Sequence, residues 1–195
     1  ELQFNNELTN FEGSLHYTAL MVEALLIIYF SLKSLKKENE LYEKIREVLI
    51  VNNYFIKLNT NKGELSQIGD NDSGRLFYFH FDEKEPLKLQ WLNNLIEEII
   101  PESKNYNHVS ENIDKLENIE LNKINNVTHK EIKAFDDDFK HYSFPEFGLY
   151  IWRNSKDFFS IRCGEIGQNG VGGHAHYDQL SIECFSNNKW IARDP

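Results

Sequence analysis

From Ser14 to about Ser34 apolar residues crowd the chain at a spacing compatible with a buried helix, with Ser14 placed as its N-cap and no Pro or internal Gly to break it. After a polar turn, Leu41, Ile45, Val48, Leu49 and Asn52 recur at helical spacing while Lys44, Arg46 and Glu47 fall elsewhere on the cylinder, which predicts a second, amphipathic helix. A third is expected to begin near Pro86, a favourable first-turn residue, and to run through Leu89, Leu92, Leu95, Ile96, Ile99 and Ile100 until Pro101. Residues 1–104 therefore read as helices packing on helices. Residues 105–132 are rich in Glu, Asn and Lys without a sustained period and read as a connection. In residues 133–195 the period becomes two. Phe147 to Arg153, Phe158 to Cys163, Gln179 to Phe185 and Lys189 to Ala192 are short aromatic and β-branched runs parted by Gly and Asn turns, the mark of an antiparallel β region. A block of helices followed by a block of strands predicts an α+β protein with separate layers or domains and disfavours a doubly wound fold.

Composition narrows the classes. With 41% hydrophobic and 27% charged residues over 195 positions, the chain is neither wholly disordered nor a disulfide scaffold. Lys and Arg number 21 against 31 Asp and Glu, a net charge of −10, which argues against a general binder of nucleic acid or anionic membranes. The most apolar stretch, Leu20 to Phe30, is interrupted by Glu23 and is shorter than the ~20 residues of a spanning helix, so a soluble protein without a membrane span is expected. Cys163 and Cys184 leave one bridge or two buried thiols open. The chain starts without Met and stops at Pro195 just after a strand-like run, and reads as a piece of a longer protein.

Three segments could carry chemistry. The densest runs from Gly164 to Ser181 and contains His174-Ala175-His176-Tyr177-Asp178 behind a glycine-rich turn. In an extended chain His174, His176 and Asp178 project from one side, bringing three potential ligands or proton carriers together. A phosphate loop is discounted because strand, not helix, follows the glycines. The second, Gly69-Asp70-Asn71-Asp72-Ser73-Gly74-Arg75, fails as a calcium loop because Gly74 falls one position early and Phe81 stands where a bidentate Glu belongs. It reads as a polar turn in which Asp72 and Arg75 could contact a hydroxyl-rich or carboxylate ligand. The third, Asn10 to Tyr17, reads on local grounds as the cap of the first helix.

Taken in order, Asn10-Phe11-Glu12-Gly13-Ser14, Ile68 to Arg75, Phe144-Pro145-Glu146-Phe147-Gly148-Leu149-Tyr150 and Gly172-Gly173-His174-Ala175-His176-Tyr177-Asp178-Gln179-Leu180-Ser181 leading to Asp194-Pro195 resemble the heparinase II/III family of polysaccharide lyases. The resemblance implies a partial α/α toroid followed by the start of an antiparallel β-sandwich, with the active site between them. It implies a carbon–oxygen lyase that cleaves a uronic-acid-containing polysaccharide by β-elimination, or a relative in surface-polysaccharide metabolism. By position, His174 matches the catalytic His of the β region. Asn10 and Glu12 lie in the segment that supplies the group neutralising the substrate carboxylate, Glu12 only as the protonated acid. Tyr17, Tyr54 and Tyr78 are candidates for the catalytic Tyr. His176 and Asp194 are assigned to a structural zinc site whose further His lies beyond Pro195. The implied partner is an anionic polysaccharide or oligosaccharide, sparsely charged rather than heavily sulfated given the acidity of the chain.

Two other readings compete. His174-Ala175-His176-Tyr177-Asp178 also resembles the start of the metallo-β-lactamase hydrolase motif, although Gln179 stands where that motif has a His. A carbohydrate-binding module without turnover could use the same cleft and the aromatic residues Trp91, Trp152 and Trp190.

Overall fold

The computed structural model describes residues 3–71, 76, 89–106, 139–168, 170–174, 176 and 178–193. Helix α1 spans Leu15–Ser34 and α2 spans Glu40–Leu58. The hairpin β1 (Thr60–Asn61) and β2 (Glu64–Leu65) follows α2, and after it come α3 (Gln90–Ile99) and a 3-10 turn at Pro101–Asn105. Strands β3 (Lys140–Phe144), β4 (Leu149–Arg153), β5 (Phe158–Arg162), β6 (Ile182–Ser186) and β7 (Lys189–Ala192) form one antiparallel sheet in sequential order. The protein is thus α+β, with the strands following the helices.

The starts of α1 and α2 are each set by a side chain. The Ser14 hydroxyl accepts from the Tyr17 amide at 3.2 Å, and the side-chain oxygen of Asn39 accepts from the Tyr42 amide at 3.2 Å, satisfying donors that have no intrahelical partner. The two helices run side by side, and the Tyr29 and Tyr42 rings stack at 4.5 Å with their hydroxyls joined at 2.6 Å. Helix and sheet share one core: Phe55 of α2 meets Phe144 edge-on at 4.5 Å and Phe147 at 4.9 Å. The β6–β7 hairpin turns on Asn187 and Asn188, both at positive φ, the pair of conformations a two-residue hairpin turn demands.

Several expectations need correction. Leu41 is 54% exposed, and Tyr42 takes the inward position beside Ile45 and Leu49. α1 buries Leu15, Ala19, Val22 and Leu26 but leaves Ile27, Ile28 and Phe30 exposed, so it is buried on one side rather than throughout. α1 has the expected extent, and over its 20 residues it is, contrary to the reading of Leu20 to Phe30, long and apolar enough to cross a bilayer by length and composition; its inward side is part of the shared core. α3 starts at Gln90, and Pro86 lies outside the described residues, as does nearly all of 105–132. β3 has no counterpart among the expected strands, because Lys140 and His141 dilute its alternation. Both cysteines are free thiols, and Cys163 is exposed, so neither a bridge nor a pair of buried thiols is present. Finally, His174, His176 and Asp178 do not lie on a strand: β6 begins only at Ile182, and the three occupy the loop after β5.

Candidate active site

The seam between the helices and the sheet is residues 64–70. Glu64 accepts from the Trp190 indole at 3.0 Å and from Arg193 at 2.9 Å. The Gln67 amide donates to Glu183 at 2.8 Å and the Gly69 amide to Asp178 at 2.9 Å. On its other side the Leu15 amide donates to the Ile68 carbonyl at 3.0 Å, and the Ser14 hydroxyl to the Asp70 carbonyl at 2.8 Å. Gly69 is required here: its φ is +70°, and a Cβ would stand 2.7 Å from the Ser14 Cα. The residue that caps α1 is therefore fastened to the segment that the sheet also grips.

This seam delivers Tyr17 and His174 to one place. Their rings stack with centroids 3.8 Å apart and planes inclined by 21°. The Asp70 amide donates to the His174 carbonyl at 2.9 Å, which fixes the loop backbone. The Asp70 carboxylate lies between two imidazoles, with Oδ2 3.4 Å from His174 Nδ1 and Oδ1 2.9 Å from His176 Nε2. Tyr17, Asp70, His174 and His176 are all partly exposed. No sequence signal singles out Asp70, since nothing local distinguishes it from Asp72 in the same polar turn.

Asn10, on the turn before α1, borders a cleft of about 400 Å³ together with Phe11, Pro145, Arg162, Glu165 and Gly167. Asn10 is fully buried, with its side-chain oxygen accepting from the Glu12 amide at 2.9 Å and its nitrogen 3.3 Å from the Gln3 carbonyl. It shapes the turn before α1 as well as bordering the cleft. Glu12 is half-buried, and its Oε2 atom is enclosed without a hydrogen bond. The glycine loop lies directly against this turn: the Gln168 amide donates to the Phe11 carbonyl at 2.7 Å, and Gly167 passes so close to Glu12 that a Cβ would fall 1.8 Å from its carbonyl oxygen. The loop that carries His174 and the turn that carries Asn10 and Glu12 are thus one packed unit.

Arg162, at 1% exposure, underlies this unit, donating to the Gly148 carbonyl at 3.2 Å and the Glu165 carbonyl at 2.6 Å. Burial lowers its pKa, and the negative charge of Asp178 opposes that shift. Asp178, 3% exposed, is turned inward onto the Gly69 amide rather than outward with the histidines. A sequence signal for Arg162 exists: it shares the inward parity of Phe158 and Ser160.

Of the remaining candidates, Tyr54 contacts Tyr106 and Tyr142 instead of His174. Tyr78, Asp72, Arg75 and Asp194 lie outside the described residues. For zinc, only His176 of the two expected ligands is described, and its Nε2 faces Asp70. Among the described residues no group of three His, Cys, Asp or Glu is placed to hold a metal ion, and Asp194 lies outside them. No curated protein and no solved structure matches the chain. Residues 137–195, which hold the sheet and the His174 loop, match the family model described as Heparinase II/III-like, C-terminal, the family that the sequence motifs resemble.

Proposed function

We propose that the protein is a polysaccharide lyase that cleaves a uronic-acid-containing polymer by β-elimination, with Tyr17 and His174 as its proton-transfer pair. The observation that carries this reading is the 3.8 Å stack of Tyr17 on His174, which joins a helix-borne residue to a loop-borne one in an accessible position. The match of residues 137–195 to the Heparinase II/III-like C-terminal family supports it. The partial toroid and the start of a sandwich belong to the same reading.

The chemistry asks for three things. A base takes the proton alpha to the uronate carboxylate, the resulting electron pair forms the new double bond as the glycosidic C–O bond breaks, and an acid protonates the departing oxygen. The charge developing on the carboxylate must be met by hydrogen-bond donors, and their preorganisation contributes more than any single base. A stacked phenol and imidazole present, side by side, two groups that can remove and return a proton. His174 with its Nδ1 toward Asp70 keeps Nε2 for the substrate, and Asp70 favours that orientation of the ring. In this reading Asn10 and Glu12, on the turn packed against the loop that carries His174, are the candidates for neutralising the substrate carboxylate. Asp72 and Arg75 remain candidates for substrate contact, and His176 with Asp194 for zinc.

The test is the product. Incubation of the protein with a panel of uronans should give a chain end with far-ultraviolet absorbance from an unsaturated uronate and no oxygen taken from isotopically labelled water. A product that carries solvent oxygen and no double bond would indicate hydrolysis and remove the reading.

A further inference from the structure

At the end of β4 away from Arg162, a second cleft of about 560 Å³ opens between the last turn of α2, the 3-10 turn after α3 and the β3–β4 edge. Its character runs against that of the chain. The protein carries a net charge of −10, yet the described lining holds Lys57, Lys104, Lys140 and Arg153 and no carboxylate. Lys57 is neutralised by Glu97 at 2.5 Å from just outside. Lys104, Lys140 and Arg153 have no carboxylate partner among the described residues. Arg153 is held in place by the Lys57 and Leu58 carbonyls at the end of α2, at 3.2 and 2.5 Å. Its pKa is lowered by burial, against the pull of Tyr142 and Tyr54, so the cation is partly stripped of water without an anion to match it among the described residues.

The cleft also has an aromatic wall. Tyr54 meets Tyr106 edge-on at 5.5 Å and Tyr142 at 6.1 Å, so three tyrosines with polar tips stand together beside the cations. Cations for carboxylates and amphipathic rings for the apolar faces of sugar rings are the two features that a site for a charged carbohydrate combines. A long, dense polyanion is opposed by the charge of the rest of the protein.

We propose that this cleft is a second binding site for an acidic oligosaccharide, with Lys104, Lys140 and Arg153 on its carboxylates and Tyr54, Tyr106 and Tyr142 against its rings. The identity of the ligand rests on the lyase reading above. Such a site holds the polymer away from the Tyr17 and His174 centre and raises its local concentration there.

The test uses the full chain with His174→Ala, so that the probe is not consumed, and measures calorimetric binding of tetragalacturonate. Lys104 and Lys140 are exposed, so reversing both to Glu should leave the melting midpoint unchanged. The expected result is binding that weakens with added salt and falls by about tenfold on the double reversal, while Lys→Arg at both positions keeps it. Absence of binding, binding indifferent to the reversal, or tighter binding of a DNA oligonucleotide than of the sugar would overturn the proposal. If lysine-dependent binding is found but the active protein makes no unsaturated product, the lyase reading fails and this site stands. If product forms but binding is indifferent to the lysines, the lyase reading stands and this site fails.

Discussion

Tyr17, in the first turn of α1, lies face to face with His174 from the loop between β5 and β6, their ring centroids 3.8 Å apart. The Ser14 cap sets the direction in which α1 leaves the seam, and Asp70 holds both that cap and the His174 backbone. Tyr17→Phe keeps the stack and removes only the hydroxyl. The expected outcome is a fall in kcat of about 100-fold or more with KM little changed and the melting midpoint preserved. Initial rates on the preferred uronan check this, and wild-type turnover would exclude the phenol from proton transfer.

Asp70→Asn leaves the backbone bonds to His174 and Ser14 in place and removes the charge between the two imidazoles. We expect kcat to drop by at least about tenfold, since the ring of His174 loses the partner that orients it, with a smaller change in KM. A rise in KM alone would assign Asp70 to substrate binding instead.

Two glycines of one loop should respond differently to the same change. At Gly167 a methyl group would collide with the Glu12 carbonyl, backbone against backbone, so Gly167→Ala should cost about 3 kcal/mol and open the site. Gly170 has φ +87° but nothing near its missing Cβ, so Gly170→Ala should cost only about 1 kcal/mol. Urea unfolding of the pair measures the difference, and equal losses would contradict the packing of the loop on the turn before α1.

Burial lowers the pKa of His141, which stacks on Trp152 at 4.6 Å. The unfolded chain therefore binds a proton before the folded one as pH falls. The stability tied to this group is fully present above the unfolded value near 6.5 and is lost as pH drops through the folded value. His141→Phe should keep the stack and reduce the acid loss of stability, by less than about 1 kcal/mol because the ring is only half-buried. Unfolding curves for both proteins near neutrality and at about pH 5 test the sign.

The elements with long, regular patterns are legible in the sequence. Ser14 marks the start of α1, the spacing from Ile45 to Leu49 marks α2, and alternation marks β4 and β5. β3 is not legible, because two of its five residues are Lys140 and His141 and its place is fixed by pairing with β4. At the site, His174 stands out through its glycines, but the direction of each side chain does not follow. The period-two expectation fails because His174, His176 and Asp178 lie in the loop before β6, where Asp178 is buried on the Gly69 amide while both imidazoles meet Asp70. Asp70 and Tyr17 gain their meaning only from contacts across the seam, which no local pattern encodes.

The measurement that bears most directly on the central claim is the rate of double-bond formation on a uronan by the intact protein and by His174→Ala. The account predicts an unsaturated product from the first and essentially none from the second, with the variant still folded and still binding the polymer. Undiminished formation of that product by the variant would contradict it.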